Sequence, residues 1–186
     1  MIMTEKNDAQ HLALVRTWIE QVVIGLNFCP FARKPYDENR VRIVLDYATD
    51  DDAILEAVLK ELLSLESATA SELETTLIVL PNAYPDFIKF NDILHVLNDV
   101  LEMEGFEGIF QIASFHPHYQ FAGTQPDSRE NFTNRAPFPI LHLIREDSIE
   151  RVLALHPDPD SIPENNINRL NQLSESQLST YFAYLF

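Results

Sequence analysis

The chain has 186 residues, with 29 acidic side chains against 13 basic ones and a net charge of -16. This acidity disfavours nucleic acid and anionic membrane surfaces as partners, because both require clustered Lys and Arg to replace counterions. No apolar run reaches the length of a membrane span, no signal-peptide pattern opens the chain, and a single cysteine excludes an internal disulfide. We therefore expect a cytoplasmic protein that folds as one α/β domain over residues 1–186, with a helical tail from about residue 160.

The first half of the chain alternates between helix and strand patterns. Apolar side chains at helical spacing predict a helix over residues 8–25, and a period of two predicts a strand over residues 41–48. Thr49 is expected to cap a second helix. The apolar stripe of that helix consists of Ile54, Val58, Leu62 and Leu65. A continuous apolar run over residues 75–80 predicts a strand buried on both faces, and residues 86–103 predict a third helix.

The second half adds two strands, a long loop between them and a helical end. Strands are predicted over residues 108–115 and 138–144, and helices are predicted to begin at Ser148, near Ser161 and at Ser174. Two strand–helix–strand units joined by right-handed crossovers give three parallel strands, with the fourth strand returning antiparallel. The sequence therefore predicts an α/β fold in which helices cover a small mixed sheet of about four strands.

The loop between the last two strands is the expected site. About twenty residues are too many for an ordinary hairpin connection, so such a loop is either functional or disordered. Its aromatic side chains favour an ordered loop, and we expect Phe121 and Phe132 to be mostly buried. His116 stands at the C-terminal end of the third strand, where ligands bind in sheets of this kind.

Cys29 and His116 are the candidate reactive pair. Cys29 lies at a bend fixed by the proline that follows it, and Arg33 and Lys34 are near enough in sequence to favour a thiolate. We predict that Cys29 is the nucleophile, that His116 is its base, and that Arg135 orients a substrate. The alternative is that Cys29 is an inert core residue, since burial between apolar side chains raises a thiol's pKa.

A second use of these side chains is metal binding. Cys29, His116 and His142 would satisfy three positions of a tetrahedral zinc site and leave the fourth open to water. Their spacing is not that of a compact zinc motif. The alternative for His142, which stands between two leucines, is a hydrogen-bonded histidine of the core.

Arginine side chains point to an anionic ligand. A guanidinium matches carboxylate or phosphate through two parallel hydrogen bonds, so Arg135 and Arg145 are candidate ligand-binding residues. Asn134 can add a hydrogen bond and Tyr119 a hydroxyl group. The alternative for both arginines is an ion pair within the protein.

Several motifs together resemble those of an uncharacterised bacterial family, a domain of unknown function. They include LNFCPFA at residues 26–32, QIASFHPHYQFAG at residues 111–123 and NFTNRAPFPILHLIRE at residues 131–146. The resemblance covers nearly the whole chain and names no reaction. The residues that it marks as motif positions are Cys29, His116, Tyr119, Asn134, Arg135, His142 and Arg145.

Two function classes remain open at this point. The first is a thiol- or metal-dependent enzyme that acts on a small anionic or polar metabolite. The second is a non-catalytic small-molecule-binding or protein-interaction domain in which the loop forms the recognition surface. The aromatic C-terminus, residues 181–186, either docks on the protein's own core or contacts a second subunit in a homo-oligomer.

Overall fold

A four-stranded mixed sheet forms the centre of the protein. The computed structural model describes residues 2–155 and 157–186. The strands are β1 (Val41–Leu45), β2 (Thr75–Val79), β3 (Phe110–Phe115) and β4 (Ile140–Arg145), in the spatial order β1-β2-β4-β3. β1 and β2 are parallel, and β4 is antiparallel to both β2 and β3. The predicted α/β class with a mixed sheet is confirmed.

The position of β4 sets the order of the strands, which the sequence did not predict. β3 runs in the same direction as β1 and β2, but β4 is inserted between β2 and β3, so only β1 and β2 pair in parallel. The long loop allows this insertion, because it brings the chain back from the end of β3 to the end of β2. The C-terminal ends of β1, β2 and β3 therefore share one edge of the sheet with the start of β4. We call it the carboxyl edge.

The long helices fall close to their predicted positions, with differences at their starts and ends, and α2 was not predicted. They are α1 (Ile2–Trp18), α2 (Arg33–Asp37), α3 (Asp51–Ser67), α4 (Phe87–Met103), α5 (Glu146–Leu155), α6 (Ile162–Asn171) and α7 (Glu175–Tyr181). α1 continues as a π-helix over Ile19–Ile24, and α5 begins directly after β4 rather than at Ser148. Asp50 caps α3 in place of Thr49, because its carboxylate accepts from the N–H of Ala53.

The sheet separates two hydrophobic layers. Its front face carries Leu77 and Ile140 and packs against the N-terminal helix and the C-terminal helices. Its back face carries Ile78 and Leu141 and packs against α3 and α4. Across the part of the chain that the structure describes, no helix combines the length and apolar character needed to cross a membrane.

The C-terminal aromatic segment belongs to the front-face layer. Phe182 is fully buried, and its ring centroid lies 5.0 Å from that of Phe132. The Tyr184 hydroxyl donates to the backbone carbonyl of Arg135 over 3.4 Å. These two side chains dock on the protein's own core, while Phe186 remains 78% exposed.

The loop between β3 and β4 is ordered by one buried amide. Asn131 is fully buried within a 3-10 helix, Arg129–Asn134. Its Oδ1 accepts from the N–H of Phe121 and from Thr124 Oγ1, and its Nδ2 donates to the carbonyl of Gln125. One side chain thus satisfies three polar groups from the far part of the loop.

The two phenylalanines of the loop, Phe121 and Phe132, differ in burial. Phe132 is only 6% exposed, as predicted, because it packs into the front-face layer. Phe121 is 36% exposed, so the expectation that it would be mostly buried fails. Its ring stacks edge-on against Tyr119, 4.9 Å away between centroids, on the outside of the loop.

Candidate functional site

A pocket of about 280 Å³ opens at the carboxyl edge. Three chain segments line it, namely residues 81–85 after β2, residues 116–118 after β3 and residues 137–139 before β4. This is the place where sheets with parallel strands most often bind ligands. Five of the lining residues are prolines: Pro81, Pro85, Pro117, Pro137 and Pro139. We call it the proline pocket.

His116 lies in the wall of the proline pocket, where its ring bonds to two backbone groups. It is 1% exposed, and its ring lies 5.3 Å from that of Phe90 between centroids. Its Nδ1 accepts from the backbone N–H of His118 over 2.9 Å. Its Nε2 therefore carries the proton and donates to the Tyr84 carbonyl, also over 2.9 Å. Burial lowers the pKa of His116, so the ring is neutral, and neither nitrogen is free to accept a substrate proton in this arrangement.

Tyr84, which His116 holds, has a strained backbone. Its φ of 51° lies in the left-handed region, which costs a bulky residue about 1–3 kcal/mol. Besides the bond from His116, its hydroxyl donates to Asp51 Oδ1 over 2.7 Å. Burial and then this bond raise the pKa of Tyr84, so the hydroxyl stays protonated. Tyr84 was not among the residues predicted for the site; the available signal was its position in a five-residue turn bounded by Pro81 and Pro85.

Cys29 and His116 are not brought together. Cys29 follows Phe28, which is part of the front-face layer, and its N–H bonds to the carbonyl of Val23. His116 instead contacts Phe90, a core residue of the back-face layer. The predicted nucleophile–base pair does not form, because both ring nitrogens of His116 bond to backbone groups, Nε2 to the Tyr84 carbonyl and Nδ1 to the His118 N–H.

The expected thiolate at Cys29 is also not favoured. Burial raises the pKa of the Cys29 thiol, and this effect outweighs the hydrogen bonds from the backbone of Phe31 and Ala32, which lower it. Arg33 and Lys34 are exposed in the first turn of α2 and do not figure among the causes of the shift. The apolar surroundings therefore decide the balance that the sequence left open.

The predicted zinc ligands lie apart as well. His142 pairs with Ala113 across the β3–β4 ladder and shares the front face with Leu77, whereas His116 belongs to the back face. Among the side chains that the structure describes, no group of three or more His, Cys, Asp or Glu is arranged to hold a metal ion. Cys29, His116 and His142 therefore do not fit a zinc site.

His142 is a hydrogen-bonded histidine of the sheet. Thr75 Oγ1 donates to the carbonyl of Leu143, so it accepts from His142 Nε2 over 2.7 Å. Burial lowers the pKa of His142 to about 4. The neutral ring thus packs between β2 and β4. This agrees with the alternative that His142 is a hydrogen-bonded histidine of the core.

Arg135 organises the loop. Its Nε donates to the carbonyl of Tyr119 and its Nη2 to that of Pro126. The guanidinium carbon lies 4.4 Å from the centre of the Phe132 ring, and the Arg135 carbonyl accepts from Trp18 Nε1. Nε and Nη2 thus meet backbone carbonyls rather than the acidic side chains of an ion pair.

Asn134 and Tyr119 hold the loop against the sheet. Asn134 Nδ2 donates to the carbonyl of Ser114, and the Asn134 carbonyl accepts from the N–H of His116. The Tyr119 ring packs on Phe87, with 4.9 Å between centroids. Both residues lie beside the proline pocket without lining it.

Arg145 lies at the opposite edge of the sheet. It ends β4, and its Nε and Nη2 donate to the carbonyls of Leu65, Ala68 and Leu73 around the end of α3. Such a cap satisfies the last carbonyls of a helix, which have no partner inside it. The structure therefore separates Arg145 from the other candidate ligand-binding residues.

The family assignment follows from the sequence match. The profile of a family described as "Protein of unknown function (DUF1415)" matches residues 10–180. The chain belongs to this family. All three segments that line the proline pocket fall inside the part of this DUF1415 protein that matches. No curated protein and no solved structure matches the chain.

Proposed function

We propose that this protein binds a compact small molecule in the proline pocket and does not use Cys29 as a nucleophile. The observation that carries the proposal is the strained Tyr84, which His116 and Asp51 hold in place at the pocket wall. Backbone strain of this kind persists only where surrounding contacts enforce it, and it concentrates at ligand-binding and active sites. The lone free cysteine supports a cytoplasmic location for this binding.

The charges around the pocket favour a neutral or cationic ligand. The helices that follow β1 and β2 begin at the carboxyl edge, and Asp50 and Asp86 already cap them. Asp51 adds a third carboxylate beside Tyr84. Arg135 donates to backbone carbonyls and Arg145 lies at the opposite edge of the sheet, so for the proline pocket we now propose a ligand without net negative charge.

The size and lining of the pocket restrict the ligand further. A volume of about 280 Å³ is close to the lower end of the range for small-molecule sites, about 300–1,000 Å³. Proline has no backbone N–H, so much of the wall offers apolar ring surface rather than donors. The exposed side chains of Asn82 and His118 supply polar groups at the rim. These features suit a compact ligand with one apolar face.

A ligand-observed NMR screen with a library of neutral and cationic metabolites and fragments tests the proposal. His118→Ala removes an exposed side chain from the pocket, and His95→Ala removes an equally exposed histidine from α4. We expect ligands whose affinity falls about tenfold in the first variant and stays unchanged in the second, as for the loss of one anchoring contact. Cys29→Ser should bind them normally.

Two outcomes would overturn the proposal. One is a library in which no compound binds to the wild-type protein with an affinity that His118→Ala reduces. The other is a Cys29→Ser variant that stays folded but no longer binds the ligands, which would show that the thiol takes part in the function.

A further inference from the structure

A second pocket, of about 270 Å³, lies at the edge of the sheet opposite the carboxyl edge. It opens where α3 ends, where β3 is about to begin and where β4 passes into α5. Arg145, Arg151, Asp147 and Ile109 are among the residues that line it. We call it the arginine pocket.

Both arginines are held by neutral groups. Arg145 donates through Nε and Nη2 to carbonyls around the end of α3. Arg151 donates through Nε to the Asp147 carbonyl and through Nη2 to Ser148 Oγ. Within residues 2–155 and 157–186, neither guanidinium has an ion-pair partner, and neither Nη1 has a hydrogen-bond partner. The Nη1 groups of Arg145 and Arg151 are therefore available to donate hydrogen bonds to a ligand in this pocket.

The two charges are close enough to oppose each other. The pKa of Arg145 is lowered first by burial and also by the charge of Arg151, while Glu74 acts in the opposite direction. Glu74 is already paired with Arg40. Among the described residues that line the pocket, one carboxylate, that of Asp147, stands against two guanidinium groups. Such an excess of positive charge is unexpected in a chain with 29 acidic and 13 basic residues.

We propose that the arginine pocket binds a small oxyanion, a phosphate or carboxylate group, between Arg145 and Arg151. Guanidinium groups bind such anions through charge-assisted hydrogen bonds, and a bound anion relieves the repulsion between two neighbouring cations. The site is separate from the proline pocket, which lies at the other edge of the sheet and favours a different charge. Ile109, 47% exposed in the lining, offers an apolar contact to the remainder of a larger ligand.

Titration of the intact protein with inorganic phosphate tests the site, with chloride at matched ionic strength as the reference. Binding is followed from the arginine side-chain N–H signals in ¹H–¹⁵N NMR spectra. Arg151→Gln should weaken binding by about tenfold or more, the usual effect of losing a charge-assisted hydrogen bond. Asp147→Asn should tighten it by about twofold to fivefold, because it removes the one opposing charge in the lining.

Arg169→Gln is the matched control, because Arg169 is an exposed arginine on α6 that does not line the pocket. Its phosphate affinity should equal that of the wild type. The proposal is overturned if Arg151→Gln and Arg169→Gln reduce the affinity equally, since phosphate would then respond only to net charge. It is also overturned if phosphate shifts no arginine signal beyond what chloride does.

Discussion

His142 should make the protein acid-sensitive in a defined pH range. Its Nε2 donates to Thr75 Oγ1, and its pKa in the folded protein is about 4. The ordinary value, about 6.5, applies to the unfolded chain. As the pH falls below 6.5, His142 therefore becomes protonated in the unfolded chain while it stays neutral in the folded protein. Folding stability is lost from about pH 6.5 down to about pH 4 and then levels off.

The size of this loss follows from the two pKa values. One pH unit of separation corresponds to about 1.4 kcal/mol, so His142 should account for about 2 kcal/mol at pH 5 and about 3 kcal/mol at pH 4. His116 contributes in the same direction, because its pKa is also lowered. Carboxylates add their own pH dependence. The contribution of His142 must therefore be measured as a difference from a variant that cannot titrate at this position.

The assay is urea unfolding of the wild type and of His142→Gln at several values between pH 7 and pH 4. Glutamine keeps a donor for Thr75 and carries no titratable group. We expect the free energy of unfolding of the wild type to fall by about 3 kcal/mol more than that of the variant over this range. His95→Gln, on the exposed face of α4, should behave like the wild type. Parallel pH profiles for the wild type and His142→Gln would refute the reasoning.

Three further predictions concern other structural residues. Asn131→Ala should lower the free energy of unfolding by about 2–4 kcal/mol in urea, because three hydrogen bonds to a buried amide are lost. Cys29 should react with iodoacetamide at pH 7 more slowly than a model thiol, because burial raises its pKa. Gly25→Ala should lower the melting temperature by an amount equivalent to about 1–3 kcal/mol, since a Cβ would lie 2.2 Å from the Gln21 carbonyl oxygen.

Each of these has an outcome that would contradict it. Asn165→Ala, which removes one exposed hydrogen bond, should lower the free energy of unfolding by about 0.5 kcal/mol or less. An equal effect of Asn131→Ala and Asn165→Ala would show that the Asn131 amide does not stabilise the loop. Labelling of native Cys29 at the rate of the urea-unfolded protein would show an accessible thiolate. An unchanged melting temperature for Gly25→Ala would mean that the π-helix adjusts without cost.

Structural features that follow from local sequence patterns, such as helix faces and buried strands, were predicted well. The stripe predicted for α3 is fully buried in the back-face layer at Ile54, Val58, Leu62 and Leu65. The continuous apolar run after residue 74 became β2, whose five residues are all buried. His116 was expected at the C-terminal end of the third strand, and it directly follows β3 and lines the proline pocket. Periodicity and strand ends are local properties, so the order of residues carries them directly.

The partners of the polar side chains could not be predicted in this way. The sequence did not show that Arg135 donates to backbone carbonyls of its own loop, or that Arg145 donates to carbonyls around the end of α3. Every residue has a carbonyl, so no residue type in the sequence marks the ones that remain unpaired at the end of α3 or in the loop. The buried amide of Asn131 was missed for the same reason.

The sequence by itself determined the four strands, the long helices, the ordered loop and the edge of the sheet at which His116 lies. Only the tertiary structure decided that β4 lies between β2 and β3, and that His116 turns to the back face, where its ring nitrogens bond to the backbone. The physical reason is that a strand's side chains alternate between two faces. Chemistry between distant residues therefore depends on strand pairing and on the face that each residue takes, and long-range contacts fix both.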